Sequence, residues 1–131
     1  IKTGRTASAP VMCQHCAEPP CVDVCPTGAS FKRADGIVLV DRHTCIGCRY
    51  CMMACPYKAR SFVHEPTTGQ RPEVPRVPAC VEACAATGRQ AILFGNLNDP
   101  ESEIAKRVAS YATTAVRADL GLDPGVRYVG L

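Results

Sequence analysis

Short apolar runs bounded by turn-forming residues make up most of this chain, and each run predicts a short element. Ala29–Lys32 and Gly36–Val40 predict the two strands of a β-hairpin, because Asp35-Gly36 between them favours a tight turn. A further strand is predicted at Gln90–Gly95. The polar and proline-rich stretches at residues 1–10 and 64–78 predict loops without regular structure.

Three short helices are predicted beside cysteine residues. Cys21–Cys25 and Pro78–Cys84 share a Cys-x-x-x-Cys spacing, which on a helix places both sulfurs on one face. Arg49–Ala54 predicts the third helix and leads directly into Cys55-Pro56. We expect Pro26, after Cys25, to end the helix at Cys21–Cys25, and Pro56, after Cys55, to end the helix at Arg49–Ala54.

The C-terminal region predicts one longer helix and an extended tail. Asn98-Asp99-Pro100-Glu101 is a typical helix start, so a helix is expected from about residue 100 to 118, with Gly121 ending it. The β-prone tail at residues 126–131 is expected to pair with a partner. The apolar stripe of the predicted helix consists of Ile104, Val108, Tyr111, Ala112 and Ala115.

Composition limits the classes of protein that fit. A chain of 131 residues suits one domain, or one small domain with an extension. Aromatic residues make up 5% and Trp is absent, so cofactors or cross-links are expected to replace part of the apolar core. The net charge of +3 gives no indication of nucleic-acid binding. Without a run of 18 apolar residues, no membrane span is predicted.

Ten of the 131 residues are cysteines, and eight of them form two runs. The second run has the form C-x2-C-x2-C-x3-C-P, the bacterial ferredoxin pattern in which the fourth cysteine ligates the other of two clusters. The first run has the same order with its middle gap widened to four residues. The first run is Cys13, Cys16, Cys21 and Cys25, and the second is Cys45, Cys48, Cys51 and Cys55.

Three cysteine chemistries compete for these runs. Disulfides are disfavoured, because cysteines three apart in tight loops are poor partners. A zinc ribbon needs two C-x2-C pairs separated by roughly 15 to 20 residues, and the interval from Cys16 to Cys45 is longer. Two [4Fe–4S] clusters account for both four-cysteine runs and are our prediction. We expect the histidines at 15, 43 and 64 to form loop hydrogen bonds rather than to bind metal.

Six cationic side chains near the runs are expected to lie mainly in solvent, although cations of this kind offset cluster charge when they come close. They are Lys32, Arg33, Arg42, Arg49, Lys58 and Arg60.

Three stretches resemble the iron–sulfur electron-transfer subunits of membrane-bound oxidoreductases of the polysulfide, dimethyl sulfoxide, nitrite and formate systems. These stretches are Cys13–Cys21 with Cys25–Ala29, Cys45–Cys51 with Ala54–Tyr57, and Pro78–Cys84 with Phe94–Pro100. The ending, Ala118–Gly121 with Gly125–Tyr128, is most similar to the periplasmic subunit of the membrane complex linked to dissimilatory sulfite reductase.

This resemblance implies an α+β fold, a tandem 4Fe-4S ferredoxin-like domain with a C-terminal helix and extended tail. The similarity of residues 25–31 to residues 55–62 predicts pseudo-twofold βαβ repeats. We expect the ferredoxin-like domain at residues 1–98, and the helix and docking tail at 99–131. By resemblance, cluster A takes Cys13, Cys16, Cys21 and the distant Cys55, and cluster B takes Cys45, Cys48, Cys51 and the distant Cys25.

Cys80 and Cys84 are implied ligands of a further cluster that this sequence does not complete. The family usually carries one cysteine run before Cys13 and a C-x2-C pair ahead of Cys80, and neither is present. Because Cys80 and Cys84 lie in an intact family context while the proline-rich stretch before them resembles a splice, we expect residues to be missing at the N-terminus and between about Gln70 and Pro78. On that hypothesis the protein holds three or four clusters; the alternative is that one or two have been lost.

The resemblance also implies a function. The chain would be a non-catalytic subunit that relays single electrons between a membrane-embedded quinone-handling subunit and a catalytic or cytochrome subunit. The complex would be respiratory and act on sulfur compounds, with this subunit at the periplasmic face of the membrane or, alternatively, at the cytoplasmic face. Two other hypotheses remain: a structural docking subunit with redox-silent clusters, and a free soluble ferredoxin.

Overall fold

The computed structural model describes residues 9–62, 64 and 78–131. Most of the loops predicted at residues 1–10 and 64–78 lies outside this part of the chain. The helices are α1 (Pro20–Asp23), α2 (Tyr50–Ala54), α3 (Ala79–Ala86) and α4 (Glu103–Ser110), with a 3-10 turn at Ala118–Leu120. The strands are β1 (Ser30–Lys32), β2 (Val38–Val40), β3 (Thr113–Thr114) and β4 (Tyr128–Val129).

The predicted hairpin is confirmed. Strands β1 and β2 pair antiparallel, with Ser30 opposite Val40 and Lys32 opposite Val38. Gly36 adopts φ +85°, a left-handed conformation that glycine tolerates, and its N–H donates to the Arg33 carbonyl at 2.9 Å. The Asp35 carboxylate accepts from the N–H of Ile37 at 3.2 Å and so closes the turn from the other side.

The three short helices are confirmed, but two of them end before their last cysteine. α1 begins at Pro20, where the missing N–H costs little, and the cap at Val24 ends it. α2 ends at Ala54, and Cys55 after it is extended. The expectation that Cys21 and Cys25 share one helix face is therefore wrong, because Cys25 lies beyond the helix.

The two Cys-Pro turns have the same backbone geometry. Gly28 and Lys58 each lie three residues after a cysteine and have φ values of 69° and 54°. Their N–H groups donate to the carbonyls of Cys25 and Cys55 at 3.3 Å and 3.2 Å. Only the first turn leads into a strand within the described residues, and the strand pairs there are antiparallel, so the βαβ repeats remain a prediction.

The strand predicted at Gln90–Gly95 is wrong. Both sheets in the described residues have two strands, and neither includes this segment. In that part of the chain, its backbone N–H and C=O groups therefore have no neighbouring strand to pair with. The segment packs on α4 instead. A Cβ added at Gly95 would lie 2.9 Å from Cγ2 of Ile104.

The helix predicted from about 100 to 118 is much shorter than expected. It begins after Ser102, whose hydroxyl accepts from the N–H of Ala105 at 3.2 Å, and it ends before the extended Tyr111. The β-branched residues Thr113 and Thr114 favour a strand, and both pair with β4. Tyr111, Ala112 and Ala115 of the predicted stripe therefore lie outside the helix, and Gly121 ends the 3-10 turn.

The tail pairs with its own chain, and its docking to a partner subunit remains a prediction. Thr113 lies opposite Val129, and Thr114 lies opposite Tyr128. We call residues 113–129 the C-terminal arm.

The C-terminal arm folds onto the first cysteine loop through backbone hydrogen bonds. The N–H of Gly125 donates to the Gln14 carbonyl at 2.7 Å, and the N–H of Ala17 donates to the Asp123 carbonyl at 3.0 Å. A Cβ at Gly125 would meet the His15 carbonyl at 3.1 Å, so a small residue is needed at this contact. The arm thus holds the loop that carries the first two cysteines.

The described residues belong to two compact units, Ile1–His64 with Thr113–Leu131 and Glu65–Ala112. The boundary predicted at residue 98 remains a prediction. In the first unit, burial is concentrated around cysteines rather than in a large apolar core. The buried residues there are Gln14, Cys16, Pro19, Cys21, Ala29, Ser30, Val38, Cys55 and Pro124.

The Tyr128 hydroxyl allows a test of the arm. It donates to the Pro10 carbonyl at 2.8 Å and accepts from Nε2 of the buried Gln14 at 3.2 Å. Tyr128→Phe removes both bonds, which costs about 1 kcal/mol of local stability.

Hydrogen exchange at the amides of Ala17 and Gly125 measures that local cost. We expect Tyr128→Phe to accelerate exchange about fivefold, which corresponds to about 1 kcal/mol. The control is Tyr111→Phe, at a side chain that is 58% exposed, and it should leave both rates unchanged. Equal rates in the two variants would show that the Tyr128 hydroxyl does not help to hold the loop.

Candidate iron–sulfur sites

The first cavity lies in the unit Ile1–His64 with Thr113–Leu131, and four cysteines are among its lining residues. Cys13 and Cys16 reach it from the loop under the C-terminal arm, Cys21 from α1, and Cys55 from the residue after α2. Three of these four residues are buried, and Cys13 is half-buried. Four soft sulfur donors therefore converge on one enclosed space.

The second cavity lies in the same unit and is lined by the other four cysteines of the two runs. Cys25 reaches it from the residues after α1, and Cys51 from α2. Cys45 and Cys48 come from the second cysteine loop, and both are exposed. The cysteines of the second cavity are thus more exposed than those of the first.

The packing of α1 against α2 explains this exchange of cysteines. α1 carries Cys21 toward the first cavity and releases Cys25 into the second. α2 carries Cys51 toward the second cavity and releases Cys55 into the first. Each helix therefore contributes a cysteine to one cavity, and the cysteine that follows the helix lines the other cavity.

All ten cysteines are free thiols in the structure. A disulfide scaffold, one of the three chemistries considered, is therefore not formed. In the described residues, no three His, Cys, Asp or Glu side chains are gathered closely enough to hold a single metal ion. The cysteines surround cavities instead.

Hydrogen bonds to sulfur differ between the two cavities. In the second cavity, the N–H of Ser30 donates to Cys25 Sγ at 3.3 Å and lowers the pKa of that thiol to about 7. In the first cavity, Nη2 of Arg60 donates to Cys21 Sγ at 3.2 Å. Burial, followed by the neighbouring Cys13, raises the pKa of Cys16. A charged donor thus acts in the first cavity and a neutral amide in the second.

His15 supports the first cysteine loop as a hydrogen-bond acceptor. Its Nδ1 accepts from the N–H of Val38 at 3.0 Å, which places the proton of the neutral ring on Nε2. Burial, and then the charge of Arg60, lower the pKa of His15 and keep the ring neutral. This agrees with the loop role predicted for it.

Gly47 lies where the second cysteine loop turns tightly. It adopts φ +72°, and a Cβ there would lie 3.4 Å from the ring of Phe62. The guanidinium of Arg49, which lines the second cavity, lies 4.2 Å from the centroid of the same ring. The ring therefore supports the loop from outside the cavity.

Cys80 and Cys84 lie on α3 in the unit Glu65–Ala112, which contains no other cysteine. Cys80 is exposed, and Cys84 is half-buried and donates to the Arg89 carbonyl at 2.9 Å. Two thiols are half the number that a [4Fe–4S] cluster takes. Their assignment to a further cluster remains a prediction.

A family model described as the 4Fe-4S dicluster domain matches residues 5–94. This match includes all ten cysteines and more than half of the chain. The chain belongs to the 4Fe-4S dicluster domain family. The prediction of at least two [4Fe–4S] clusters is thereby confirmed.

Relatives of this dicluster domain are iron–sulfur subunits of oxidoreductases. The chain is 45% identical to the Hdr-like menaquinol oxidoreductase iron-sulfur subunit 1 of Archaeoglobus fulgidus, over 93% of this chain and 56% of the relative. It is 43% identical to a subunit of the tetrathionate reductase of Salmonella typhimurium, over 93% and 51%. It is 41% identical to a subunit of the sulfite dehydrogenase of Allochromatium vinosum, over 95% and 57%. The chain thus spans about half the length of these relatives.

The residues of both cavities fit such clusters. Four thiolates per cavity are the usual ligand set of a [4Fe–4S] cluster. Ser30 lines the second cavity, is 2% exposed, and its Oγ has no hydrogen-bond partner among the described residues. The anionic sulfurs of a cluster would supply the acceptor that this buried hydroxyl lacks.

Sequence reasoning did not single out the polar groups that contact the sulfurs. Ser30 follows a Cys-Pro turn and carries no recognisable motif. Arg60 was one of six nearby cations, and nothing in its spacing distinguished it from the other five. Arg60 can be identified only from the fold, which brings it next to Cys21 on α1.

The exchange of cysteines between the two runs predicts which variants share a defect. Cys55→Ser should remove the same cluster as Cys13→Ser, although residue 55 belongs to the second run. Cys25→Ser should remove the same cluster as Cys45→Ser. The measurement is the EPR spectrum of each reconstituted, reduced variant, and the outcome that contradicts the exchange is a Cys55→Ser spectrum that matches Cys45→Ser.

Proposed function

We propose that this chain relays single electrons through two [4Fe–4S] clusters. Cluster A is held by Cys13, Cys16, Cys21 and Cys55, and cluster B by Cys25, Cys45, Cys48 and Cys51. The observation that carries this proposal is the pair of four-thiol cavities on either side of α1 and α2. Each cluster, when bound, would accept and release one electron at a time.

The chain's own residues keep the relay short. Cys21 and Cys25 are four residues apart and line different cavities, and so do Cys51 and Cys55. The two cavities are therefore joined by covalent paths of one helical turn each. A relay needs this closeness, whereas a purely structural metal site does not.

The second cavity offers a route by which electrons can leave or enter the chain. Cys45 and Cys48 are exposed, while three cysteines of the first cavity are buried. Beside them Ile46 is 68% exposed and Met53 on α2 is 67% exposed. We propose that electrons pass between cluster B and a partner subunit at this side, and that cluster A is the inner site.

The names of the relatives support a proposal for the partners of this chain. Their names combine a menaquinol oxidoreductase with a tetrathionate reductase and a sulfite dehydrogenase. We propose a membrane-embedded quinone-handling subunit on one side, a catalytic or cytochrome subunit on the other, and a sulfur compound as the substrate of the complex. No helix in the described residues is long and apolar enough to cross a membrane. We propose that the complex is associated with the membrane and that this chain lies at its periplasmic face.

A third cluster in the longer protein is part of this proposal. The alignment with the Archaeoglobus subunit extends over 152 positions and takes in 93% of this chain, which is about 122 residues. About 30 positions of that subunit therefore have no counterpart here. Residues of this kind would supply the ligands that Cys80 and Cys84 lack.

An anaerobic redox titration of the reconstituted chain tests the relay. Dithionite should deliver two electrons per chain with about eight irons, and the visible absorption should bleach accordingly. A menaquinol analogue should reduce at least one cluster when the membrane partner is supplied. Iron-loaded protein whose spectrum does not respond to either reductant would overturn the relay and favour a redox-silent docking subunit.

The soluble-ferredoxin alternative makes a different prediction. A free ferredoxin would be reduced equally well with and without the membrane partner. We expect the relay subunit to be reduced by menaquinol at least about tenfold faster with that partner present, because the partner shortens the transfer distance. Equal rates would contradict the proposed complex.

A further inference from the structure

We propose that Arg60 raises the reduction potential of cluster A, so that the buried cluster remains reducible by the exposed one. This inference rests on the ligand assignment under the proposed function. It concerns one hydrogen bond, from Nη2 of Arg60 to Sγ of Cys21 at 3.2 Å. Cys21 is 8% exposed, and Arg60 is half-buried and lines the first cavity.

Other cations near the cysteine runs have different partners. Nζ of Lys32 donates to the Ala17 carbonyl at 2.9 Å, and Arg33 pairs with Asp35. Arg49 stacks on the Phe62 ring. Among the described residues, Arg60 makes no carboxylate ion pair, and its recorded hydrogen bond goes to sulfur. Within that part of the chain, its charge is therefore directed at a cluster ligand rather than at an acid.

A charged donor on a ligand sulfur acts in a known direction. Reduction adds one negative charge to a cluster, so a guanidinium hydrogen-bonded to its thiolate stabilises the reduced form more than the oxidised form. Arg60 therefore shifts the reduction equilibrium of cluster A toward the reduced form. The planar, permanently charged guanidinium keeps this effect at every pH at which the protein is folded.

Burial acts in the opposite direction at the same site. Cys16, Cys21 and Cys55 are buried, and a site shielded from water disfavours added negative charge. The second cavity has two exposed cysteines and receives the neutral amide of Ser30. Without Arg60, cluster A would be the harder of the two to reduce. With it, the two potentials come close enough for electrons to pass between the clusters in either direction.

The test is an EPR-monitored redox titration of the full reconstituted chain carrying Arg60→Gln. We expect the equilibrium constant for reducing one cluster to fall about tenfold, which lowers its midpoint potential by 59 mV for one electron. The midpoint potential of the other cluster should not change. The shifted signal should be the one that Cys55→Ser eliminates.

Lys58→Gln is the matched control. It removes an equal charge two residues away, from an exposed side chain that lines neither cavity. Both midpoint potentials should stay at their wild-type values. If Arg60→Gln shifts no more than Lys58→Gln, or moves both clusters equally, the inference is overturned.

Arg60→Lys keeps the proposal testable if the glutamine variant does not assemble. Lysine retains the charge but lacks the planar guanidinium, so the potential of cluster A should fall by less than in Arg60→Gln and still lie below wild type. An iron-loaded Arg60→Lys protein in which the potentials of both clusters shift equally would contradict the proposal. Wild-type chain that binds no iron would instead refute the proposed function, and the two failures are thus distinguishable.

Discussion

The packing of α1 against α2 is the constraint on which the rest of the structure depends. Each helix is only about one turn long, so it cannot be stable alone and must be held by what surrounds it. Because each ends before its last cysteine, one helix delivers sulfur to two cavities. The two cavities therefore share the same two helices, and a change that displaces either helix alters both cavities.

The C-terminal arm and the burial pattern make the two cavities unlike each other. The arm returns to the first cysteine loop and fixes it by backbone hydrogen bonds, which contributes to the enclosure of the first cavity. The second cysteine loop has no comparable cover among the described residues, and its cysteines at 45 and 48 are exposed. One inner and one outer site suit a chain that receives electrons from one subunit and passes them to another.

The sequence was informative where chemistry requires a fixed spacing and uninformative where distant segments meet. Cysteine spacing predicted both groups of four, because a cluster fixes how far apart its ligands lie along the chain. The hairpin followed from Asp35-Gly36 for a similarly local reason. The predicted length of the C-terminal helix was wrong because Thr113 and Thr114 pair with residues 128 and 129, and no local pattern reveals that contact. The contact between Arg60 and Cys21 spans 39 residues and was equally hidden.

We propose that the eight cysteines of the two runs hold two four-iron clusters across these helices. Native mass spectrometry of the anaerobically reconstituted chain tests it most directly, because cluster mass is read on the intact protein. We predict a mass increase equal to two [4Fe–4S] clusters in wild type and to one cluster in Cys55→Ser and in Cys25→Ser. A wild-type increase matching zinc ions, or no increase at all, would contradict the account.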